Sequence, residues 1–152
     1  NKIETTIDLD GESHGGIIGN INSSGLSLSI NNSLVKPKLR EKVISSPNRF
    51  KGGVIGYLQD ASDLSINRNL VTVINISGDG YIAGAIGKHG SVTLISETDE
   101  LVLEGVIESN NTSPTDNRTG GIYGYNVVAG GVARNVLINL DIACRQNFLG
   151  LW

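Results

Sequence analysis

The sequence predicts an all-β protein, and within that class a right-handed parallel β-helix of about four coils. Two observations lead there: a glycine-rich motif returns four times, and segments of alternating apolar and polar residues follow it. A short unit of this kind buries its apolar side chains only by stacking on its neighbours. The composition agrees, because 20 glycines, no methionine and only 18% charged residues do not suit a helical bundle.

The glycine motif sets the length of the repeat. Its copies begin at Gly15, Gly52, Ala83 and Gly120, so the starts are separated by 37, 31 and 37 residues. The second copy reads Gly-Gly-Val-Ile-Gly. Because glycine has no side chain, it allows positive φ and close approach of two backbones. We therefore expect the chain to turn a corner at each copy. At the third copy, where Ala83 replaces the first glycine, we expect weaker demands on backbone conformation and close approach.

The alternating segments predict strands. They lie at residues 26–30, 71–76, 101–107 and 136–142 and are rich in branched side chains. About three short strands fit in each unit. An antiparallel β-sandwich is the alternative, since it also consists of many short strands, although it does not require a returning glycine pattern. Residues 1–152 are expected to form one solenoid domain, cut from a longer chain.

The motif also predicts which side chains face the core. If the fourth position faced inward, the sixth would too, unless the chain turns at the glycine between them. The sixth position includes Lys88, whose burial without a partner would be costly. We therefore expect the third position to face inward and the fourth to form a ladder on an outer face. The third-position residues are Ile17, Val54, Ala85 and Ile122, and the fourth-position residues are Ile18, Ile55, Ile86 and Tyr123.

Composition and motifs exclude several classes of function. A net charge of -3 argues against nucleic acid as a partner. One cysteine, Cys144, and two distant histidines, His14 and His89, argue against a disulfide or a metal site. Since no apolar segment reaches the roughly 18 residues that span a bilayer, we expect no membrane insertion. Because the local signatures of hydrolases, zinc proteases and phosphate-binding loops are missing, we expect no enzyme and no cofactor.

One acidic group keeps an enzymatic alternative open. Glu97, Asp99 and Glu100 place three carboxylates within four positions, a density that suits glycan cleavage or cation binding. The group lies between two predicted strands, where a solvated turn is the more ordinary interpretation. The alternative function is therefore a carbohydrate-active β-helix, similar to a glycan-cleaving tailspike or lyase.

Two polar insertions are the predicted binding loops. They cover residues 36–51 and 108–119 and occupy the same point of the first and third coils, counted from each motif. Stacking would bring their bases within roughly 10 Å of each other. Basic groups there could hold an acidic polysaccharide or an anionic host surface, with Phe50 as a stacking face, although a solvated loop would look the same. The candidate ligand-binding residues are Lys36, Lys38, Arg40, Lys42, Arg49, Phe50, Lys51, Asn117 and Arg118.

The repeat resembles a known family. Its Gly-Gly-aliphatic-aliphatic-Gly motif, followed by Tyr57 or Tyr125 and a strand rich in Ser and Asn, resembles the GLUG-type repeat of large bacterial surface and secreted proteins. These include adhesins and the non-catalytic N-terminal regions of immunoglobulin-A-cleaving metalloproteases. The resemblance covers residues 15 to about 142 and departs at Ala83 and Lys88. It implies a non-enzymatic bacterial extracellular stalk or adhesion module, and it carries over no catalytic residue. Because the terminal coils of a β-helix expose unpaired backbone groups, we also expect contacts with neighbouring repeats or self-association at the coil ends.

Overall fold

The computed structural model is all-β. It describes residues 2–9, 13–22, 27–30, 34–41, 49–60, 63–66, 70–89, 95–99, 101–109, 118–126, 132–134 and 136–144. Within these ranges the regular secondary structure consists of β-strands alone. A search of the same residues finds no helix long and apolar enough to cross a membrane.

Seventeen strands form in the described residues, most of them three to nine residues long. In chain order they are β1 Lys2–Leu9, β2 Ser13–Gly15, β3 Ile18–Asn22, β4 Ser27–Ile30, β5 Leu34–Glu41, β6 Phe50–Gly52, β7 Ile55–Asp60, β8 Asp63–Ile66, β9 Leu70–Gly78, β10 Tyr81–Ala83, β11 Ile86–His89, β12 Ile95–Asp99, β13 Leu101–Ser109, β14 Thr119–Gly120, β15 Tyr123–Asn126, β16 Val132–Arg134 and β17 Leu137–Cys144.

The strands assemble into four parallel sheets with a period of four strands. Sheet A has the order β1-β5-β9-β13-β17, sheet B β14-β10-β6-β2, sheet C β15-β11-β7-β3 and sheet D β16-β12-β8-β4. Each pairing between described strands is parallel. The antiparallel sandwich is therefore wrong. The prediction of about three strands per unit is also wrong, because each unit contributes one strand to each of four sheets.

The register places the four copies of the motif on top of one another. In sheet B, Gly15 pairs with Gly52, Gly52 with Ala83, and Ala83 with Gly120. Sheet C stacks the fourth-position residues in the same way, from Ile18 to Tyr123. The periodicity that the sequence predicted is thus the stacking period of the sheets.

The core lies between the sheets and is built from aliphatic ladders. Sheet A supplies alternate residues of its central strands, which is the pattern expected when one face of a strand is buried. The corner between sheets B and C adds the third position of the glycine motif, and sheet C adds the fourth. The buried members are Ile21, Ile30, Val35, Leu39, Val54, Ile55, Leu58, Ile74, Ile76, Ile82, Ala85, Ile86, Leu101, Leu103, Ile107 and Ile122.

The prediction of an outer ladder at the fourth position is wrong. Ile55 and Ile86 are fully buried, and Ile18 and Tyr123 pack against the same core. The cause is the hydrogen bonding at the corner: the amides of Val54 and Ile55 both donate to the carbonyl oxygen of Ala85, each at 3.0 Å. Two consecutive amides that share one acceptor break the alternation of the strand, as in a β-bulge. The third and fourth positions therefore both face inward.

The glycines of the motif serve close approach and not a left-handed backbone. Among the described glycines positive φ occurs at Gly78, Gly80 and Gly105, and none of these begins a motif. A Cβ atom on Gly56 would lie 2.6 Å from the carbonyl oxygen of Gly19. The expectation of positive φ at the corners is corrected, and the expectation of close backbone approach is confirmed.

The stretch 36–51 is not simply an inserted loop. Its first part belongs to β5, which pairs on both sides in sheet A. Val35 and Leu39 of this strand are buried, whereas Lys36 and Lys38 are exposed on the outer face. Residues 42–48 and 110–117 lie outside the described residues. Residues 42–48 connect β5 of sheet A to β6 of sheet B, and residues 110–117 connect β13 to β14 in the same way. In sheet B one strand, β10, lies between β6 and β14.

Candidate functional site

Two rows of side chains flank the glycine corner and form the candidate site. One row stands two positions before each motif and contains Ser13, Phe50, Tyr81 and Arg118; the other is the sixth motif position and contains Asn20, Tyr57, Lys88 and Tyr125. The register aligns the members of both rows. Arg118 joins its row beside Tyr81, since the amide of Ile82 donates to the Arg118 carbonyl oxygen at 2.9 Å. We call Phe50, Tyr57, Tyr81, Lys88, Arg118 and Tyr125 the aromatic strip.

The corner brings the two rows together because it folds sheet C back against sheet B. A Cβ atom on Gly19 would lie 2.9 Å from the carbonyl oxygen of Ser13, and one on Gly124 would lie 2.9 Å from the amide nitrogen of Ile82. Only glycine permits this separation of the two backbones. Side chains that leave sheets B and C on either side of the glycines therefore meet on one edge of the stack.

The rings of the strip are in mutual contact. The centroid of Phe50 lies 4.6 Å from that of Tyr57 and 5.4 Å from that of Tyr81, and Tyr81 lies 5.3 Å from Tyr125. Separations of this size are typical of favourable aromatic pairs. Phe50 is buried, while the three tyrosines remain partly exposed. The strip is thus a continuous aromatic surface that crosses three units of the stack.

Lys88 lies at the centre of this surface. Its Nζ is 4.7 Å from the ring centroid of Phe50, 4.9 Å from Tyr57, and 5.9 Å from both Tyr81 and Tyr125. Burial lowers the pKa of the Lys88 ammonium from its usual 10.5. The four ring faces act in the opposite direction, because their quadrupoles attract a cation. The ammonium is held in place by aromatic contacts.

A second cation occupies the end of the strip. The guanidinium carbon of Arg118 lies 4.6 Å from the ring centroid of Tyr125. The Tyr125 ring therefore contacts both cations. Within the described ranges the contacts of Lys88 and Arg118 side chains are with aromatic rings, and no described carboxylate forms an ion pair with either.

Buried polar side chains fix the strand that carries Phe50. Lys51 is completely buried, and its ammonium donates a hydrogen bond to the backbone carbonyl of Asp79. Arg49 is 5% exposed, and its carbonyl oxygen accepts the amide of Tyr81 at 2.7 Å. These contacts tie the β9–β10 turn to the start of β6. They hold Phe50 and Tyr81 side by side.

The structure separates the nine predicted binding residues. Phe50 and Arg118 belong to the aromatic strip, and Arg49 and Lys51 are buried beneath it, so Lys51 is not on the predicted binding surface. Lys36, Lys38 and Arg40 lie on β5, where the first two side chains are exposed. Lys42 and Asn117 lie outside the described residues.

Sequence reasoning missed four members of the strip: Tyr57, Tyr81, Lys88 and Tyr125. A signal for them existed in the pattern, because the positions two before and five after the start of the second, third and fourth motifs carry all six aromatic and basic residues that form the strip. Finding it required knowing that the corner folds these two positions against each other.

The register of the described strands pairs neither Glu97 nor Asp99 directly with another carboxylate. Glu97 and Asp99 lie on β12, where Glu97 pairs with Ser65 and Val132, and Asp99 pairs with Arg134. Glu100 lies outside the described residues. The described part of the chain also has no cluster of three or more His, Cys, Asp and Glu side chains able to hold a metal ion.

Comparisons with known proteins leave the chain without an assigned family. Neither protein-family models, nor curated proteins, nor solved structures gave a significant match to this sequence. The likeness of the motif to the GLUG-type repeat therefore stays a prediction, and the proposals below depend on the geometry of the strip.

The partly buried Tyr57 makes the strip visible in an alkaline titration. Burial raises the pKa of its phenol from the usual 10.0. A raised pKa in the folded state contributes stability below the unfolded pKa, and that contribution is lost as pH rises through the folded value. We expect phenolate absorbance to include a late component that Tyr57→Phe removes. If the component lost in Tyr57→Phe ionises like free tyrosine, the phenol is not desolvated by the strip.

Proposed function

We propose that this protein is a non-enzymatic extracellular module of a bacterial surface or secreted protein, a stalk or adhesion segment that binds its ligand along the aromatic strip. We further propose that the parallel sheets close into a right-handed β-helix, since crossovers between parallel strands are right-handed almost without exception. The aromatic strip is the observation that carries the proposal.

Three properties of the strip suit ligand binding. Its three tyrosine rings are partly exposed, so they offer apolar area and polar hydroxyl groups together, and the buried Phe50 ring packs against two of them. The rings stand on hydrogen-bonded strands, so little conformational entropy is lost on binding. Phe50 and Arg118 of the strip also belong to the predicted binding insertions, residues 36–51 and 108–119.

The open edge of sheet A supports the role of a stacking module. β17 pairs with β13 and has no further described strand on its other side. Its inward residues Ile138, Leu140 and Ile142 are only half-buried, whereas their neighbours Leu103 and Ile107 are fully buried. A further repeat or a second copy of the chain would cover them by adding parallel strands.

Binding measurements on soluble polysaccharides test the proposal. Tyr57→Ala and Tyr81→Ala each remove a ring, so we expect at least tenfold weaker binding, as for an aromatic anchor worth about 1.4 kcal/mol. Asn75→Ala is the control, because Asn75 is exposed on sheet A away from the strip. Calorimetric titration of all three variants gives the comparison.

Two results would contradict this function. Equal loss of binding in Asn75→Ala and Tyr57→Ala would show that the strip is not the binding surface. Shortening of the polysaccharide, measured by size-exclusion chromatography and abolished in the double variant Glu97→Gln with Asp99→Asn, would instead establish the carbohydrate-active alternative.

A further inference from the structure

We infer that the ligand of the aromatic strip is an anionic polysaccharide whose acid groups bind between Lys88 and Arg118. This inference rests on the proposed function and adds the chemical class of the ligand. It differs from the interpretation of the insertions as basic loops, because Lys88 and the three tyrosines lie in neither insertion; the strip shares only Phe50 and Arg118 with the predicted binding residues.

The first argument is the balance of charge in the strip. Lys88 and Arg118 both contact the Tyr125 ring, and among the described residues neither forms an ion pair with a carboxylate. Burial removes water from the Lys88 ammonium, so this cation gains more from a counter-charge than one in bulk water does. An anion bound beside the Tyr125 ring would supply that counter-charge. Arg118 also favours one shape of anion, because a guanidinium binds a carboxylate or sulfate through two parallel hydrogen bonds.

The second argument is the aromatic surface beside the cations. Phe50, Tyr57 and Tyr81 continue the strip from Lys88 toward the second unit. A small inorganic anion would use only the cations and leave this surface uncovered. A sugar ring has an apolar face that packs on an aromatic side chain and hydroxyl groups that bond to tyrosine hydroxyls. The combination favours an acidic sugar over a simple ion.

The third argument is the direction of the strip. Its members repeat from strand to strand at about 4.8 Å, so the site extends along the stack as a line. The first unit ends the line with Ser13 and Asn20, which are small and uncharged. An extended chain of sugars can follow such a line, with its acid groups at the third and fourth units and neutral parts toward the first.

Single-stranded nucleic acid also combines rings with anions, but the charges disfavour it. Its phosphates are bound in a groove lined with Lys and Arg along the backbone, whereas the strip supplies two cations and the whole chain carries a net charge of -3. A polysaccharide also packs the apolar faces of its sugars on the rings, so two cations are enough to hold its acid groups. We therefore assign the site to the polysaccharide and use the nucleic acid as an arm of the test.

The experiment is calorimetric titration of the full chain with four polymers: polygalacturonate, dextran sulfate, neutral dextran and oligothymidylate. We expect polygalacturonate or dextran sulfate to bind at least tenfold more tightly than dextran or oligothymidylate. Lys88→Gln and Arg118→Gln should each weaken that binding at least tenfold, whereas Lys2→Gln, which removes an exposed charge from sheet A, should change it less than twofold. Lys88→Arg should retain most of the binding, and thermal melts of each variant check the fold.

The outcomes separate the inference from the proposed function. Binding to polygalacturonate assigns the acid group as a carboxylate, and binding to dextran sulfate alone assigns it as a sulfate; both support the inference. Binding to dextran that depends on Tyr57 and not on Lys88 overturns the inference and leaves the proposed function standing. Tightest binding to oligothymidylate, or equal losses in Lys2→Gln and Lys88→Gln, also overturns it. If none of the polysaccharides binds, both proposals fail.

Discussion

Gly52→Ala is expected to lower the free energy of unfolding by about 3 kcal/mol, although it adds a single methyl group. A Cβ atom on Gly52 would clash with the carbonyl oxygen of Ile55 and lie 2.8 Å from the amide nitrogen of Gly87. Both atoms belong to hydrogen-bonded backbone at the corner, so neither moves without disturbing two units. Urea denaturation followed by circular dichroism measures the change.

The third unit supplies the matched control for this substitution. Ala83 occupies the equivalent position, pairs with Gly52 and is fully buried. Ala83→Gly removes a methyl group where the corner already has room for it, so we expect a cost of only about 0.5–1 kcal/mol. If Gly52→Ala and Ala83→Gly shift the denaturation midpoint equally, close approach at the corner does not determine the stability of the stack.

Lys51→Ala is expected to be the other strongly destabilising change, with a cost of about 3–5 kcal/mol. The Lys51 side chain is completely buried, and its ammonium bonds to the Asp79 carbonyl in a turn between two glycines with positive φ, Gly78 and Gly80. Alanine would leave a cavity and remove the hydrogen bond to the Asp79 carbonyl. It would also loosen the turn that positions Tyr81.

Two further variants separate the causes. Lys51→Met keeps most of the volume and loses the charged hydrogen bond, so we expect a smaller cost of about 1.5–3 kcal/mol. Lys38→Ala removes a lysine that is exposed on sheet A and should change stability by less than about 0.5 kcal/mol. Similar midpoints for Lys51→Ala and Lys38→Ala would mean that the Lys51 ammonium reaches water.

The parallel stacking of the chain could be predicted from the sequence because a glycine motif with constant internal spacing must meet its own copies. The direction of the fourth motif position could not, since it depends on two amides that share one carbonyl oxygen. The sequence indicates a loop at β5 because its exposed residues, Lys36 and Lys38, dominate the pattern and hide the buried Val35 and Leu39. In both places the local structure depends on a contact with a neighbouring unit, which the local sequence does not show.

The candidate site could be predicted only in part for the same reason. Phe50 and Arg118 stood out as an aromatic and a cation beside polar segments. Lys88 looked like a departure from the tyrosine pattern, whereas its ammonium is enclosed by rings from three units. The burial of Lys51 depends on Asp79, which is 28 residues away in sequence. Contacts of this kind follow from the fold and leave no local signature.

The parallel pairing of all four sheets also sets how the molecule responds to force. Hydrogen bonds between neighbouring units point along the stack, so tension applied in that direction loads them one unit at a time and not all together. Each unit that peels away would release 31 to 37 residues, the spacing of the motifs, or roughly 110–130 Å of extended chain. A tether with this construction would yield in steps under load and lengthen greatly before it breaks.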